Sequence, residues 1–491
     1  MNYRVSQMIK NIIFRLSQCL LCWLAISVSN AQQNHYWANQ YGARSSLMGG
    51  AVVAGVNDNS AIYYNPAAVA GLANTISLNA NLYQLSWFNV ENGLGNGLDI
   101  NSSSFDLYPQ FAGGTISFKN PRLKAGYMLM TRAYHFLKFD ERHEKLFDAI
   151  PNIQGSEEFI GTASYLSRAN EQWVGLTLAY QVSDKFSIGL TQILGYRFQN
   201  FKATVTGEAV TTDFNNFYTA VVRDEYEMSF DNLKAVWKLG FQWNLNPLKI
   251  GLTITSPSVN INPLNLSNGR ARRESSVANL DRGLTDPEYA NYLATDKQDK
   301  IPSLYKYPLS VGLGLEYESA KTKIALAAEY FHSLDEYQVL SPQSRPVVRP
   351  SVIFRDLATD DFLSFASQSL PVVNFAVGVE HQVNAKWSIL AGFRTDYNSY
   401  DQVAEDIGDD ISYWDLFHLS AGATFHKKQS DITIGLSYYF GVSFDDTQLY
   451  NFDSPLDRDY LSSDLSNTAN TTTRGISLIV GYTHYLNPRS K

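Results

Sequence analysis

The 491-residue chain has only two cysteines, Cys19 and Cys22, both within its first 22 residues. Everything after them is thiol-free, which excludes a disulfide scaffold, a thiolate nucleophile and a cysteine metal site from the body of the protein. Basic charge is also in short supply, with 39 Lys and Arg against 47 Asp and Glu. A phosphate-binding surface needs a basic excess, so nucleic-acid binding is excluded. No apolar run of about 20 residues occurs beyond position 30, which rules out a bundle of membrane-spanning helices. Catalytic signatures are missing as well: there is no Gly-x-Ser-x-Gly, no His-Glu-x-x-His and no Gly-x-x-x-x-Gly-Lys. The eight histidines are scattered, and His418 and His426, eight positions apart on one strand face, are too far apart for one metal. The sequence reads as a non-enzyme without metal or cofactor. Aromatic residues at 13% and hydrophobic ones at 45% exclude a disordered chain.

The N-terminus reads as a secretory signal over residues 1–31. Arg4, Lys10 and Arg15 form a basic region, Cys19 to Val28 a short apolar core, and Ser29-Asn30-Ala31 a small-residue cleavage site. A mature chain beginning near Gln32 loses three bases and no acid and is more acidic still. A lipoprotein signal ending at Cys19 fits poorly, because Gln18 is not small and the apolar core follows the cysteine.

From residue 75 onward the dominant pattern is alternation at period two. Phe186, Ile188, Leu190, Leu194 and Tyr196 share one face against Ser187, Gly189, Thr191, Gly195 and Arg197. Similar ladders run through Ala235–Trp243, Tyr307–Tyr317, Phe375–Val379 and Ile432–Phe440, with glycine recurring on the polar face. The alternation predicts fourteen strands, at 75–90, 105–119, 123–139, 172–182, 186–206, 229–244, 248–262, 305–318, 322–336, 373–383, 387–400, 415–426, 431–444 and 474–486. Connections of three or four residues alternate with long ones such as 140–171, 207–228 and 263–304. This rhythm is that of a transmembrane antiparallel β-barrel in the outer membrane of a Gram-negative bacterium, with tight turns inside and long loops outside. Hydrocarbon offers no hydrogen bonds to backbone groups, so a sheet there must close on itself with apolar side chains toward lipid. A soluble sandwich array would share the alternation but not the short and long rhythm.

Residues 32–74 do not alternate, and the barrel is assigned to residues 75–491. The leading segment contains Gly42 followed by Gly49-Gly50-Ala51, then Asn57-Asp58-Asn59-Ser60-Ala61, then Tyr63-Tyr64-Asn65-Pro66-Ala67. Its small residues and the Asn-Pro turn suit close packing inside a lumen, with a periplasmic tail as the alternative. The order of these three motifs ahead of a first barrel strand resembles the N-terminal hatch of the FadL/TodX family of outer-membrane transporters for long-chain fatty acids and hydrocarbons. The resemblance implies fourteen strands, an N-terminal hatch plugging the lumen with Gly49, Gly50, Asn57, Asp58, Asn65, Pro66 and Ala67 as its signature, and passive uptake of hydrophobic molecules, foremost long-chain fatty acids. Some barrels that resemble this family instead act as shuttles in protein secretion to the cell surface, which is the alternative function.

Mid-strand cations on the polar face, Arg132, Arg197, Lys238 and Arg394, are candidates for holding a ligand head group, with Glu329 and Glu380 as possible structural partners. Apolar residues in the long connections, Leu146, Phe147, Tyr292, Leu293, Phe362 and Phe365, are candidates for ligand capture, and short helices are predicted around them. The acidic clusters at Asp406–Asp410 and Asp445–Asp459 read as solvated loops. Expected partners are hydrophobic small molecules, outer-membrane lipid and lipopolysaccharide, and the barrel assembly machinery, with the protein itself a monomer.

Overall fold

The computed structural model describes residues 35–150, 153–212, 217–280, 291–345, 359–399, 414–456 and 460–486. The expected signal segment, residues 285–289 of the helix expected before Tyr292, and Asp406, Asp409, Asp410, Asp457 and Asp459 lie outside them. In chain order the strands are β1 (Thr75–Glu91), β2 (Ile100–Ser117), β3 (Leu123–Phe147), β4 (Glu157–Ser183), β5 (Phe186–Thr211), β6 (Thr219–Asn244), β7 (Leu248–Thr255), β8 (Val259–Asn260), β9 (Asn268–Ala278), β10 (Tyr292–Pro302), β11 (Ser310–Glu318), β12 (Thr322–Phe331), β13 (Leu334–Leu340), β14 (Phe365–Ser369), β15 (Val372–Asn384), β16 (Trp387–Asp396), β17 (Leu416–His426), β18 (Ser430–Asp446) and β19 (Ala469–Tyr485). Fourteen of them close an antiparallel barrel. β1 to β7 follow in order, β7 pairs with β11, and β12 and β15 to β19 complete the wall. The ring closes where β19 pairs with β1, from Thr75 opposite Tyr485 to Glu91 opposite Asn470.

The alternation maps onto this wall as closure demands. On β4, Leu176 and Leu178 are 66% and 57% exposed, while Thr177 between them is 2% exposed. Aromatic side chains stand at both ends of the outer stripe, with Tyr180, Tyr317 and Trp387 near the tight turns and Trp87, Tyr196 and Trp237 at the other end. From Phe186 to Tyr196 on β5 the apolar face spans about 25 Å after allowing for strand tilt, the height of a hydrocarbon core. A charge in the middle of this belt must be dragged into lipid. Leu178→Arg is expected to cost about 2–4 kcal/mol in reversible unfolding from vesicles, and a cost near zero would mean that this face does not meet lipid.

Two expectations are corrected. The stretches 140–171 and 207–228 are largely strand: β3 to β6 run 25 to 27 residues, far beyond the membrane. The reason lies in the parity. Above Gln172 on β4 the side chains in register with Leu176 become polar (Asn170, Arg168, Ser164, Thr162), and the opposite set becomes apolar and buried (Ala169, Tyr165, Ala163, Phe159). Apolar side chains face outward to lipid below that point and inward to a protein core above it, so the strand continues while its chemistry inverts. The predicted helix over residues 139–150 is therefore a strand to Phe147, and Tyr292 and Leu293 open β10. The Thr359–Phe362 segment is helical, for a single turn, α3.

The second correction concerns Tyr307. It lies on the outer ladder only if the strand begins at 305, but the ladder starts at Ser310 and Tyr307 turns into the lumen, 7% exposed. The connection between β7 and β11 leaves the wall after Thr255 and returns as the β9–β10 hairpin, which pairs with the upper half of β6. With β13 and β14 it caps the extracellular end around a second apolar core that includes Phe159, Phe201, Tyr226, Phe230, Phe365 and Phe452.

Candidate functional site

The leading segment occupies the lumen. It comprises α1 (Ala43–Leu47), α2 (Ala61–Tyr64) and a 3₁₀ turn, Pro66–Gly71. Leu47, Met48, Val52, Ile62 and Val69 are fully buried and pack with inward wall residues such as Ile193, Val236 and Ile479. The Asn65-Pro66-Ala67 motif has a specific seat. Asn65 accepts from the Ala67 N–H at 3.1 Å and so caps the 3₁₀ turn, and its side-chain nitrogen donates to Val53 O at 2.8 Å and to Phe241 O of β6 at 3.0 Å. Wall glycines explain why the polar face is rich in them: a Cβ at Gly189 or Gly240 would collide with Pro66 or Asn65. Gly49 and Gly50, at φ +65° and +81°, make the turn that lets the chain lie against the β16 backbone at Phe393. Asp58 closes its own turn by accepting from the Ser60 N–H at 2.8 Å, and Asn57 is exposed.

Polar side chains fasten the hatch to the wall. Arg44 donates to Glu380 through Nε at 3.1 Å, and Trp37 Nε1 donates to Glu329 at 2.9 Å. Burial opposes the charge on Arg44, but Glu380 holds its pKa above the ordinary value. Burial pushes the His35 imidazole down to about 4, so it is neutral at neutral pH; its Nδ1 lies 3.0 Å from Asp396 O.

All four candidate head-group cations lie inside the lumen, each held by protein. Arg132 donates to the hatch carbonyl of Tyr36 at 2.9 Å and lies 5.4 Å from the ring centres of Trp173 and Tyr307. Arg394 donates to the carbonyls of Trp37 and Ala38, both at 3.0 Å, and to His418 at 2.9 Å. Lys238 is 3.8 Å from Glu329 and 4.7 Å from the Tyr63 ring centre. Arg197 pairs with Glu171 at 3.1 Å, a carboxylate that also takes Lys234 at 2.9 Å. Lys234, buried and paired here, has the same inward parity on β6 as Lys238 and was missed by reading the ladder only from Ala235. Glu171→Gln strands two buried cations, and a loss of about 3–5 kcal/mol is expected in urea unfolding. A loss below 1 kcal/mol would mean that water reaches the cluster.

The capture candidates do not converge on one groove. Tyr292, Phe362 and Phe365 are buried in the extracellular cap core, and Phe147 packs on its edge. Leu146 and Leu293 are 71% and 40% exposed.

The wall itself has a discontinuity that the alternation does not signal. β2 and β3 share a ladder only from Phe111 opposite Met130 to Ser117 opposite Lys124. Beyond it, β2 stays paired with β1 up to Ile100, and β3 stays paired with β4 up to Phe147, but not with each other. Side chains bridge the seam: Thr131 Oγ1 donates to Pro109 O at 2.6 Å, Tyr134 OH to Asp106 at 2.7 Å, and Ser102 Oγ to Lys138 O at 2.6 Å. Proline at 109 has no N–H to offer, and a bulge separates Thr131 from Ala133. The outward residues Phe105 and Leu107, 61% and 63% exposed, put this seam within the belt.

A cavity of about 170 Å³ adjoins the seam above the hatch. Ser102, Ser103 and Ser104 of β2 and Tyr134, His135, Phe136 and Leu137 of β3 all line it. Consecutive residues of both strand edges take part in the lining, so the cavity extends to the unpaired backbone of the seam. Below the hatch lies a second cavity of about 240 Å³, with Arg44, Asn57, Asp58, Glu380, His426 and Asp431 on its walls. The hatch separates the two.

No family model matches the sequence, and no curated protein matches it. Solved structures do. A Pseudomonas aeruginosa FadL homologue aligns over 92% of this chain and 100% of its own at 13% identity, with a TM-score of 0.54. The Pseudomonas putida toluene transporter TodX aligns over 91% and 98% at 14% identity, TM-score 0.53, and the CymD monoaromatic hydrocarbon channel over 91% and 98% at 12%, TM-score 0.51. Together with the apolar belt and the even strand number, these matches make the chain an outer-membrane β-barrel with the fold of FadL and TodX.

Proposed function

We propose that the protein takes up small hydrophobic molecules passively, by a route that passes the extracellular elements, reaches the cavity above the hatch and leaves sideways through the seam between β2 and β3. The observation that carries this reading is the cavity running into an unpaired stretch of wall at membrane height. Unpaired strand edges are costly in hydrocarbon and are tolerated where they line a wet cavity. A seam used as an exit accounts for a stretch of wall left unpaired at membrane height. The solved structures with this fold include proteins named as a toluene transporter and a monoaromatic hydrocarbon channel, which supports the same class of cargo.

Long-chain fatty acids, the cargo foremost in the resemblance, fit less well. A cavity of about 170 Å³ is close to the roughly 150 Å³ that holds one benzene, so an extended acyl chain would have to lie mostly in the seam. The deciding experiment compares uptake of labelled toluene and labelled palmitate by vesicles containing the purified protein. Toluene entry that exceeds protein-free vesicles, with palmitate entry lower, is expected. Equal entry with and without protein, together with mislocalised surface proteins in cells lacking it, would favour the secretion-shuttle alternative.

A further inference from the structure

We infer that the upper cavity selects a small neutral solute bearing a hydroxyl, of the phenol class, over a bare hydrocarbon or an ion. This deepens the uptake reading above and rests on it for the cavity's place on a route. The cavity is not greasy. Six residues that line it, His35, Asn39, Ser46, Gln110, His135 and His418, each carry a buried side-chain nitrogen or oxygen without a partner among the described residues. Buried polar atoms are almost always satisfied, and a cluster left over around one space calls for an occupant that hydrogen-bonds.

The orphan atoms are of both kinds. His418 Nδ1 takes the Arg394 hydrogen bond, so its proton is on Nε2, which is a free donor. His35 has the opposite tautomer: its Nδ1 donates to Asp396 O, leaving Nε2 as a free acceptor. Asn39 Nδ2 is a donor and Gln110 Oε1 an acceptor. A hydroxyl can serve both kinds at once, whereas an anion would serve only the donors and a cation only the acceptors. The charges at the rim are already engaged, Arg394 by hatch carbonyls and Asp106 by Ser104 and Tyr134. An apolar side is present for a ring, where Phe88 and Trp414 lie 5.5 Å apart.

The test measures binding of phenol and of toluene to the full-length protein in detergent by ligand-observed NMR titration, for the unmodified protein, Gln110→Leu and Ser46→Ala. Phenol is expected to bind at least about tenfold more tightly than toluene, and each variant to reduce that ratio about fivefold. Toluene binding as tightly as phenol, or a ratio unmoved in both variants, overturns the inference. If Gln110→Leu loses the heat-modifiable mobility of a folded barrel, Ser46→Ala decides. Phenol preference without vesicle uptake would leave the site standing and remove the transport reading. Uptake of both compounds without preference would do the reverse.

Discussion

Replacing residues 35–72 by a short flexible linker should turn a sealed barrel into an ion-conducting channel. Fourteen strands enclose a lumen too wide for wall side chains to fill, and here the filling is done by Leu47, Met48, Val52, Ile62 and Val69 from the leading segment. Without them the exposed lining would mix apolar residues such as Ile193, Val236 and Ile479 with Thr177, Thr191, Asn79, Ser420, the wall glycines and buried charges, a surface polar enough for water to wet. The wall's hydrogen bonds run strand to strand and do not depend on the hatch, so the barrel is expected to insert. Planar-bilayer recordings should change from silence to discrete open steps, and vesicle swelling in a small sugar should accelerate at least about tenfold, the difference between a plugged and an aqueous bore. A hatchless barrel that stays silent would show that the extracellular cap alone closes the lumen.

Fastening the seam should abolish uptake while leaving the barrel intact. Residues 32–491 contain no cysteine, so Ser102→Cys with Lys138→Cys provides one addressable pair, on strands already joined there by the Ser102 hydrogen bond to Lys138 O. A cleavable bifunctional thiol reagent across this pair should lower hydrophobic-solute uptake at least about tenfold if the lateral exit is the main route, since a closed gate removes the step that follows capture. Cleavage should restore it. The control is Ile116→Cys with Ala125→Cys, directly paired in the continuous part of the ladder, where the same link should change nothing. Uptake indifferent to the seam link would mean that solute passes straight down through the hatch.

What could be read from residues was whatever hydrocarbon enforces locally. Leu176 and Leu178 must face lipid and Thr177 must not, so the fourteen wall strands and their tight turns follow from alternation alone. Extracellular strand continuations escaped because there the same parity carries inverted chemistry. Once Asn170 and Arg168 replace Leu and Val on the outer face, the stripe used to find a strand disappears, although Phe159, Ala163 and Tyr165 trace it on the other side. The turning point at Gln172 was a usable signal. The motif Asn65-Pro66-Ala67 pointed to the hatch, but its seat against Gly189 and Gly240 joins residues more than 120 positions apart, and nothing in either stretch specifies the pairing. The seam is harder still. Pro109 and the bulge at Thr131 hint at a weak ladder, yet whether β2 and β3 part is decided by how each follows its other neighbour. The head-group candidates lie in the lumen, as their parity implies, but their partners, hatch carbonyls for Arg132 and Arg394 and Glu171 for Arg197, depend on depth and register that no single strand reveals.

Site-resolved amide hydrogen exchange along β2 in nanodiscs tests most directly whether this wall is open. N–H groups of residues 101–110 that point toward β3 should exchange orders of magnitude faster than those of residues 111–117, because only the latter have a ladder partner on that side. N–H groups pointing toward β1 should be protected along the whole strand. Uniform protection from residue 101 to residue 117 would mean a continuous wall, and both the lateral route and the cavity's connection to lipid would fall.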